Sequence, residues 1–219
     1  MDIKTKKEFI SFLIESDVLK FGSFITKSKR KTPYFINTGN FKTGKQLNIL
    51  GDFYSKIVFK SGVFFDALFG PAYKGIALVI ACCAALEKNY KINKPFFFNR
   101  KEKKDHGEGG NFIGYYPKEK EKIIIIEDVL TAGTAIKETL PTLQYSFNVI
   151  CEDVFVLVNR CEIYANGDIK TSDGLKKEFN LNIHSLITIK DILEFLKNNK
   201  HHEDKIKSMQ NYIENFCIL

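Results

Sequence analysis

The sequence predicts an α/β fold: a mostly parallel central sheet flanked by helices, with a small N-terminal hood. Short apolar runs at 65–69, 96–98, 123–126 and 149–158 alternate with segments of helical periodicity. Such alternation implies parallel pairing, with ligand loops at the carboxyl ends of the strands. Ile123, Ile124, Ile125 and Ile126 set four β-branched residues in a row, which suits a strand buried on both faces. With 219 residues, 44% of them hydrophobic, the chain can bury one full core, so one domain over 1–219 is expected, residues 1–41 contributing the hood.

Taken in order, residues 5–16 place Phe9, Phe12 and Leu13, with Ile10 and Ile14, on one side of an amphipathic helix. Segments 18–26 and 32–37 read as two antiparallel strands around a basic turn, the hood. Residues 43–60 fit a helix through Leu47, Leu50, Phe53, Tyr54, Ile57 and Val58. Strand 65–69 leads through Gly70-Pro71-Ala72-Tyr73-Lys74-Gly75 into an apolar helix to about residue 85, and strand 96–98 leads into a polar loop. After strand 123–126 come two carboxylates, a loop of small and hydroxylated residues, and a helix that Pro141 should kink or stop. Strand 149–158, a polar segment, a short strand near 183–186 and helices around 188–197 and 203–215 complete the chain.

Composition excludes several classes. No apolar run is long enough for a membrane helix, and Met1 to Lys7 is not followed by a signal-peptide core. Five cysteines lack metal-ligand spacing, and Cys82-Cys83 sit in an apolar helical run as small hydrophobes, so a reduced, cytoplasmic protein is expected. The formal charge is +7, but the lysines are spread over 4–7, 27–31, 101–104 and 118–122 without a nucleic-acid-binding motif. A small polyanionic substrate accounts for the basic excess, with neither nucleic acid nor membrane as partner.

The chemistry concentrates in Glu127-Asp128-Val129-Leu130-Thr131-Ala132-Gly133-Thr134-Ala135. Small residues let the backbone curl, and free amides at a helix N-terminus suit a phosphate monoester. The acid pair repels phosphate and suits sugar hydroxyls, so the segment describes a ribose 5-phosphate site. The alternative is an ordinary α/β turn in which Thr131 or Thr134 merely caps the helix. At residues 70–75, amides and Lys74 offer a second anion nest, or an ordinary strand-to-helix turn. Residues 99–111 hold three glycines in four positions and eight ionisable side chains, which suits an exposed lid bringing Arg100, Lys101, Lys104 and His106 to a polyphosphate leaving group. A solvated connector is the plainer alternative. Lys27, Arg30 and Lys31 beside Tyr34 and Phe35 suit a flat anionic ring, and Arg160 could pair with a carboxylate.

Together, Val18 to Gly22, Lys27-Ser28 with Pro33-Tyr34-Phe35, the Gly70–Gly75 turn, Phe98-Asn99-Arg100-Lys101-Glu102, Lys104-Asp105-His106-Gly107-Glu108-Gly109-Gly110 and residues 128–135 resemble the orotate phosphoribosyltransferases, of the type I phosphoribosyltransferase superfamily. The resemblance runs over nearly the whole chain. It implies the type I phosphoribosyltransferase fold and transfer of a phosphoribosyl group from 5-phosphoribosyl 1-pyrophosphate (PRPP) to orotate, with Mg2+ held through PRPP and water and no direct protein ligand. Carried over by position, it implies that Glu127 and Asp128 hold the ribose hydroxyls, and that Val129, Leu130, Thr131, Ala132, Gly133, Thr134 and Ala135 hold the 5′-phosphate. Tyr73, Lys74, Arg100, Lys101, Lys104 and His106 fall at the pyrophosphate, Lys27 contacts PRPP, and Phe35, Ile36, Thr131 and Arg160 contact orotate. Lys104, His106 and Asp128 are the implied catalytic residues. A homodimer with the lid shared between subunits is implied, and association with a separate orotidylate decarboxylase stays open. Glu127 stands where such enzymes usually carry Asp, Ile36 replaces an aromatic, Asn159 replaces an Asp, and 116–122 is slightly long. Rival readings are transfer to a purine or uracil, a PRPP-sensing regulator, and a nucleic-acid binder.

Overall fold

A computed structural model describes residues 1–26, 30–102, 111–165, 167–198 and 203–219. Helix α1 (Ile3–Glu15) starts where the Asp2 carboxylate accepts the Thr5 amide at 2.8 Å, and it buries Phe9, Ile10 and Leu13. Strands β1 (Leu19–Ile25) and β2 (Lys31–Ile36) pair antiparallel, Leu19 opposite Ile36. Along β2, Thr32, Tyr34 and Ile36 turn inward while Lys31 and Phe35 stay exposed, as the two-residue repeat of a strand requires. A 3-10 turn (Thr38–Asn40) leads to α2 (Gly44–Ser61), which opens with a capping box between Thr43 and Gln46.

The main sheet comprises β3 (Ala67–Gly70), β4 (Phe96–Asn99), β5 (Phe112–Gly114), β6 (Lys122–Leu130), β7 (Ile150–Asn159) and β8 (Asn182–Thr188), in spatial order β5-β4-β3-β6-β7-β8. All neighbours run parallel except β4 and β5. Helices α3 (Lys74–Tyr90), α4 (Thr134–Phe147), α5 (Thr171–Phe179), α6 (Ile189–Asn198) and α7 (Glu203–Phe216) complete the molecule. Ile124 and Ile126 join the core built with α1, α2, α3, α6 and α7, whereas Ile123 and Ile125 join the core under α4 and α5. The four isoleucines therefore serve both faces, as their sequence implies. No described helix is long and apolar enough to cross a membrane.

Five local expectations change. Strand β6 does not end at Ile126 but continues through the acid pair to Leu130, because β7 pairs with it as far as Asn159. Helix α4 runs six residues beyond Pro141; one lost amide is outweighed by burial of Ile136, Leu140 and Leu143 on the sheet. Helix α3 extends to Tyr90, and the polar segment after β7 contains α5. Strand β5 adds the one antiparallel edge, closing the polar loop at its base.

The chain leaves β3 toward β4 on one side and β6 toward β7 on the other. Adjacent strands β3 and β6 therefore form the switch point of the sheet, where a crevice opens beyond their carboxyl ends.

Candidate active site

Beyond β6, the turn Thr131-Ala132-Gly133 opens α4. Gly133 occupies the N-cap position with φ 74°, and no side chain caps the helix, which removes the reading of Thr131 or Thr134 as a mere cap. The first-turn amides are thus left without side-chain partners at the positive end of the helix dipole. A Cβ at Gly133 would press on Leu175 at 3.1 Å. Val129 and Leu130 sit differently from the rest of the phosphate segment: both belong to β6, and the Val129 amide donates to Asp128 Oδ1 at 2.8 Å. The turn whose amides carry no side-chain partner therefore runs from Thr131 to Ala135, with Val129 tied to the acid.

Across the switch point, Gly70 and Gly75 lie back to back, and a Cβ on Gly70 would collide with the Gly75 carbonyl oxygen. Part of the amide nest expected here is already used, the Ala72 and Gly75 amides but not those of Tyr73 and Lys74 among the described residues. Ala72 donates to Asn99 Oδ1 at 2.8 Å, Gly75 to the Pro71 carbonyl at 2.9 Å, and Ile76 to that of Tyr73 at 3.3 Å. The turn also supplies the Lys74 ammonium, 3.0 Å from Asp128 Oδ2.

Asp128 is the hub. Its Oδ2 accepts from Thr38 Oγ1 at 2.7 Å and from Lys74 at 3.0 Å, joining the turn after β2, the start of α3 and β6. Glu127 Oε1 accepts the Asp128 amide at 2.9 Å, and the buried Tyr54 hydroxyl on α2 donates to the Glu127 carbonyl at 2.6 Å. Burial first, then the adjacent Asp128 charge, pushes the Glu127 carboxyl up to about 8. Burial also opposes charge on Asp128, yet Lys74, Thr38 and the Glu127 carboxyl together hold it below the usual carboxylate range. Near neutral pH the pair therefore presents one proton donor and one acceptor, a complement for two adjacent hydroxyls.

Lys101 Nζ lies over the exposed Tyr73 ring at 5.3 Å, and the Arg100 amide donates to the Asn111 carbonyl at 2.6 Å. Arg100, Lys101 and Ala135 line one cleft of about 480 Å³ with Ala72 and Thr139, so these two cations and the first turn of α4 face the same space. Arg100 Nε is enclosed there without a partner among the described residues. Lys27, Lys104 and His106 lie outside the described residues.

At the hood, Phe35 is exposed and stacks on Phe24 with ring centroids 5.5 Å apart, whereas Ile36 points into the core. Their side chains lie on opposite faces of β2, so the two cannot both stack on one ring. The Arg160 amide donates to the Leu130 carbonyl at 3.1 Å, joining it to the end of β6, and its side chain is buried beside Glu162, Tyr34 and Tyr212. Sequence reasoning missed Thr38, Tyr54, Asn99, Glu162 and Tyr212. Each acts on a site residue through a contact that no local motif announces.

No protein-family model matches the chain. It is 47% identical over 192 residues to an orotate phosphoribosyltransferase of Clostridium acetobutylicum, covering 87% of this chain and 85% of that one. An Escherichia coli protein of the same name is 38% identical over 213 residues, covering 97% and 98%. The crystal structure of a Francisella tularensis orotate phosphoribosyltransferase superimposes with TM-score 0.84 at 37% identity, covering 96% of this chain and all of the other. On the fold and on these relatives, the chain belongs to the orotate phosphoribosyltransferase family.

Proposed function

We propose that the chain transfers the 5-phosphoribosyl group of PRPP to orotate, giving orotidine 5′-monophosphate and pyrophosphate in pyrimidine nucleotide synthesis. The observation that carries this reading is the clasp of Asp128 by Lys74 and Thr38 beside the side-chain-free helix end at Gly133. A carboxylate for sugar hydroxyls thus stands next to amides for a phosphate.

As pyrophosphate departs, positive charge develops on the ribose ring and negative charge on the leaving oxygens. Asp128 and Glu127 hold the hydroxyls and favour the cationic ring; fixed cations stabilise the leaving group. Lys74, with its side chain half exposed, can turn from Asp128 to the incoming pyrophosphate, where Tyr73, Arg100 and Lys101 assist. Lys104 and His106 act there by the same sequence reading, and Lys27 contacts PRPP. Phe35, Ile36, Thr131 and Arg160 form the orotate side, Ile36 through its backbone. The deprotonated ring nitrogen of orotate is itself nucleophilic, so no protein base is needed.

Among the described residues no three His, Cys, Asp or Glu side chains gather to hold a metal. Two adjacent carboxylates, one already paired with Lys74, fit a Mg2+ carried by PRPP oxygens and water. Bound so, it would disperse pyrophosphate charge. A cytoplasmic homodimer sharing the lid, with orotidylate decarboxylase as an optional companion, completes the proposal.

The test mixes purified protein with PRPP, Mg2+ and orotate. Orotate absorbance should fall. No change, while hypoxanthine or uracil is consumed under the same conditions, would refute the choice of base.

A further inference from the structure

The Arg160 guanidinium is held on three sides by groups from distant parts of the chain. Nη2 donates to the Tyr212 hydroxyl at 2.9 Å and, more weakly, to Thr32 Oγ1 at 3.4 Å. Nε lies 2.8 Å from Glu162 Oε1 but off the N–H axis, so this is an ion-pair contact without an aligned hydrogen bond. One face rests on the Tyr34 ring at 4.7 Å.

The Tyr212 hydroxyl completes the frame, sitting 2.7 Å from Glu162 Oε1. Arginine can only donate, so this hydroxyl accepts from Arg160 and must give its own proton to Glu162. Both bonds have fixed polarity, and the tyrosine cannot rotate away without breaking both. Its ring is 3% exposed and meets the Tyr34 ring edge-on at 90°. Glu162 is steadied in turn by Arg30, whose Nη1 is 3.3 Å from Oε2 and whose guanidinium covers the Phe216 ring at 4.8 Å. Two of the three guanidinium nitrogens are therefore committed. Among the described residues, Nη1 alone is neither hydrogen-bonded nor enclosed.

We propose that Tyr212, on the C-terminal helix α7, is a positioning residue for base recognition: with Glu162 it locks the Arg160 guanidinium so that Nη1 alone meets the orotate carboxylate. This rests on the reading of Arg160 as an orotate contact and makes that contact one-nitrogen, not the bidentate fork that an unconstrained arginine would offer. Locking matters because an arginine already immobilised in the free protein loses little further freedom when the base arrives.

The test is steady-state kinetics of the full chain with orotate and PRPP varied separately, for Tyr212→Phe, Arg160→Ala and the double variant. Tyr212→Phe keeps the ring and removes only the hydroxyl. It should raise KM for orotate about tenfold while leaving KM for PRPP unchanged. In the Arg160→Ala background, adding Tyr212→Phe should raise KM for orotate no further. The proposal is overturned if Tyr212→Phe leaves orotate KM unchanged where Arg160→Ala raises it, if both substrates weaken equally, or if the two substitutions add. If Arg160→Ala itself leaves orotate KM unchanged, the underlying reading of Arg160 fails, and the positioning role falls with it.

Discussion

Glu127 and Asp128 are neighbours of nearly the same chemistry whose surroundings drive them to different protonation states. Lys74 and Thr38 converge on Asp128, while Glu127 is left with burial and the charge beside it. Linkage sets the sign. A carboxyl whose folded-state pKa is about 8, against an ordinary 4.5, contributes stability below the ordinary value and loses it as pH rises through the folded one. Asp128 behaves oppositely, its contribution disappearing as pH falls. Glu127→Gln should therefore gain melting temperature relative to the parent as pH rises from about 5 to about 9; parallel melting curves across that range would show that Glu127 is not held protonated. The two acids and Lys74 were each legible from their motifs. Their meeting was not, because Lys74 and Asp128 stand 54 residues apart and Thr38 and Asp128 stand 90 apart, with nothing local to announce either pairing.

At the scale of elements, the order of strands and helices follows from the sequence wherever apolar periodicity is strong, as in α2, β6 and β7. It fails where an element borrows its reason from a neighbour. Strand β5 has three residues, defined by pairing with β4. Helix α5 carries Gly174 within nine residues, too short and too polar for a clear repeat; it closes over Gly133 through Leu175. Pro141 argues against a helix that tertiary burial nevertheless sustains. Gly133 shows the reverse, a local demand that the whole site depends on: its φ of 74° disfavours any L side chain. Gly133→Ala should cost about 1–2 kcal/mol of stability, read from denaturant midpoints. It should also weaken PRPP more than orotate if, as proposed, the displaced amides meet the phosphate; an equal loss for both substrates would argue against a phosphate turn.

For the whole molecule, the proposed sharing of the lid between subunits has a direct consequence for mixed dimers. Lys104→Ala and Asp128→Asn homodimers should each be nearly inactive. Mixing and re-equilibrating the two should recover about a quarter of parental activity if subunits exchange at random, because half the dimers are hybrids and each has one intact composite site. No recovery, with hybrids confirmed by mass, would place the lid over its own subunit's site. Within a single chain, β2 serves two distant contacts at once. Its inward residues Thr32 and Tyr34 meet Arg160, and two residues past its end at Ile36 the backbone delivers Thr38 to Asp128. With Arg160 toward the acceptor and Asp128 toward the pentose, as proposed, grafting a relative's hairpin to alter acceptor preference would also retune the grip on the pentose. Under that proposal acceptor choice and donor affinity are inherited together, and a successful chimera has to transplant both ends of that strand.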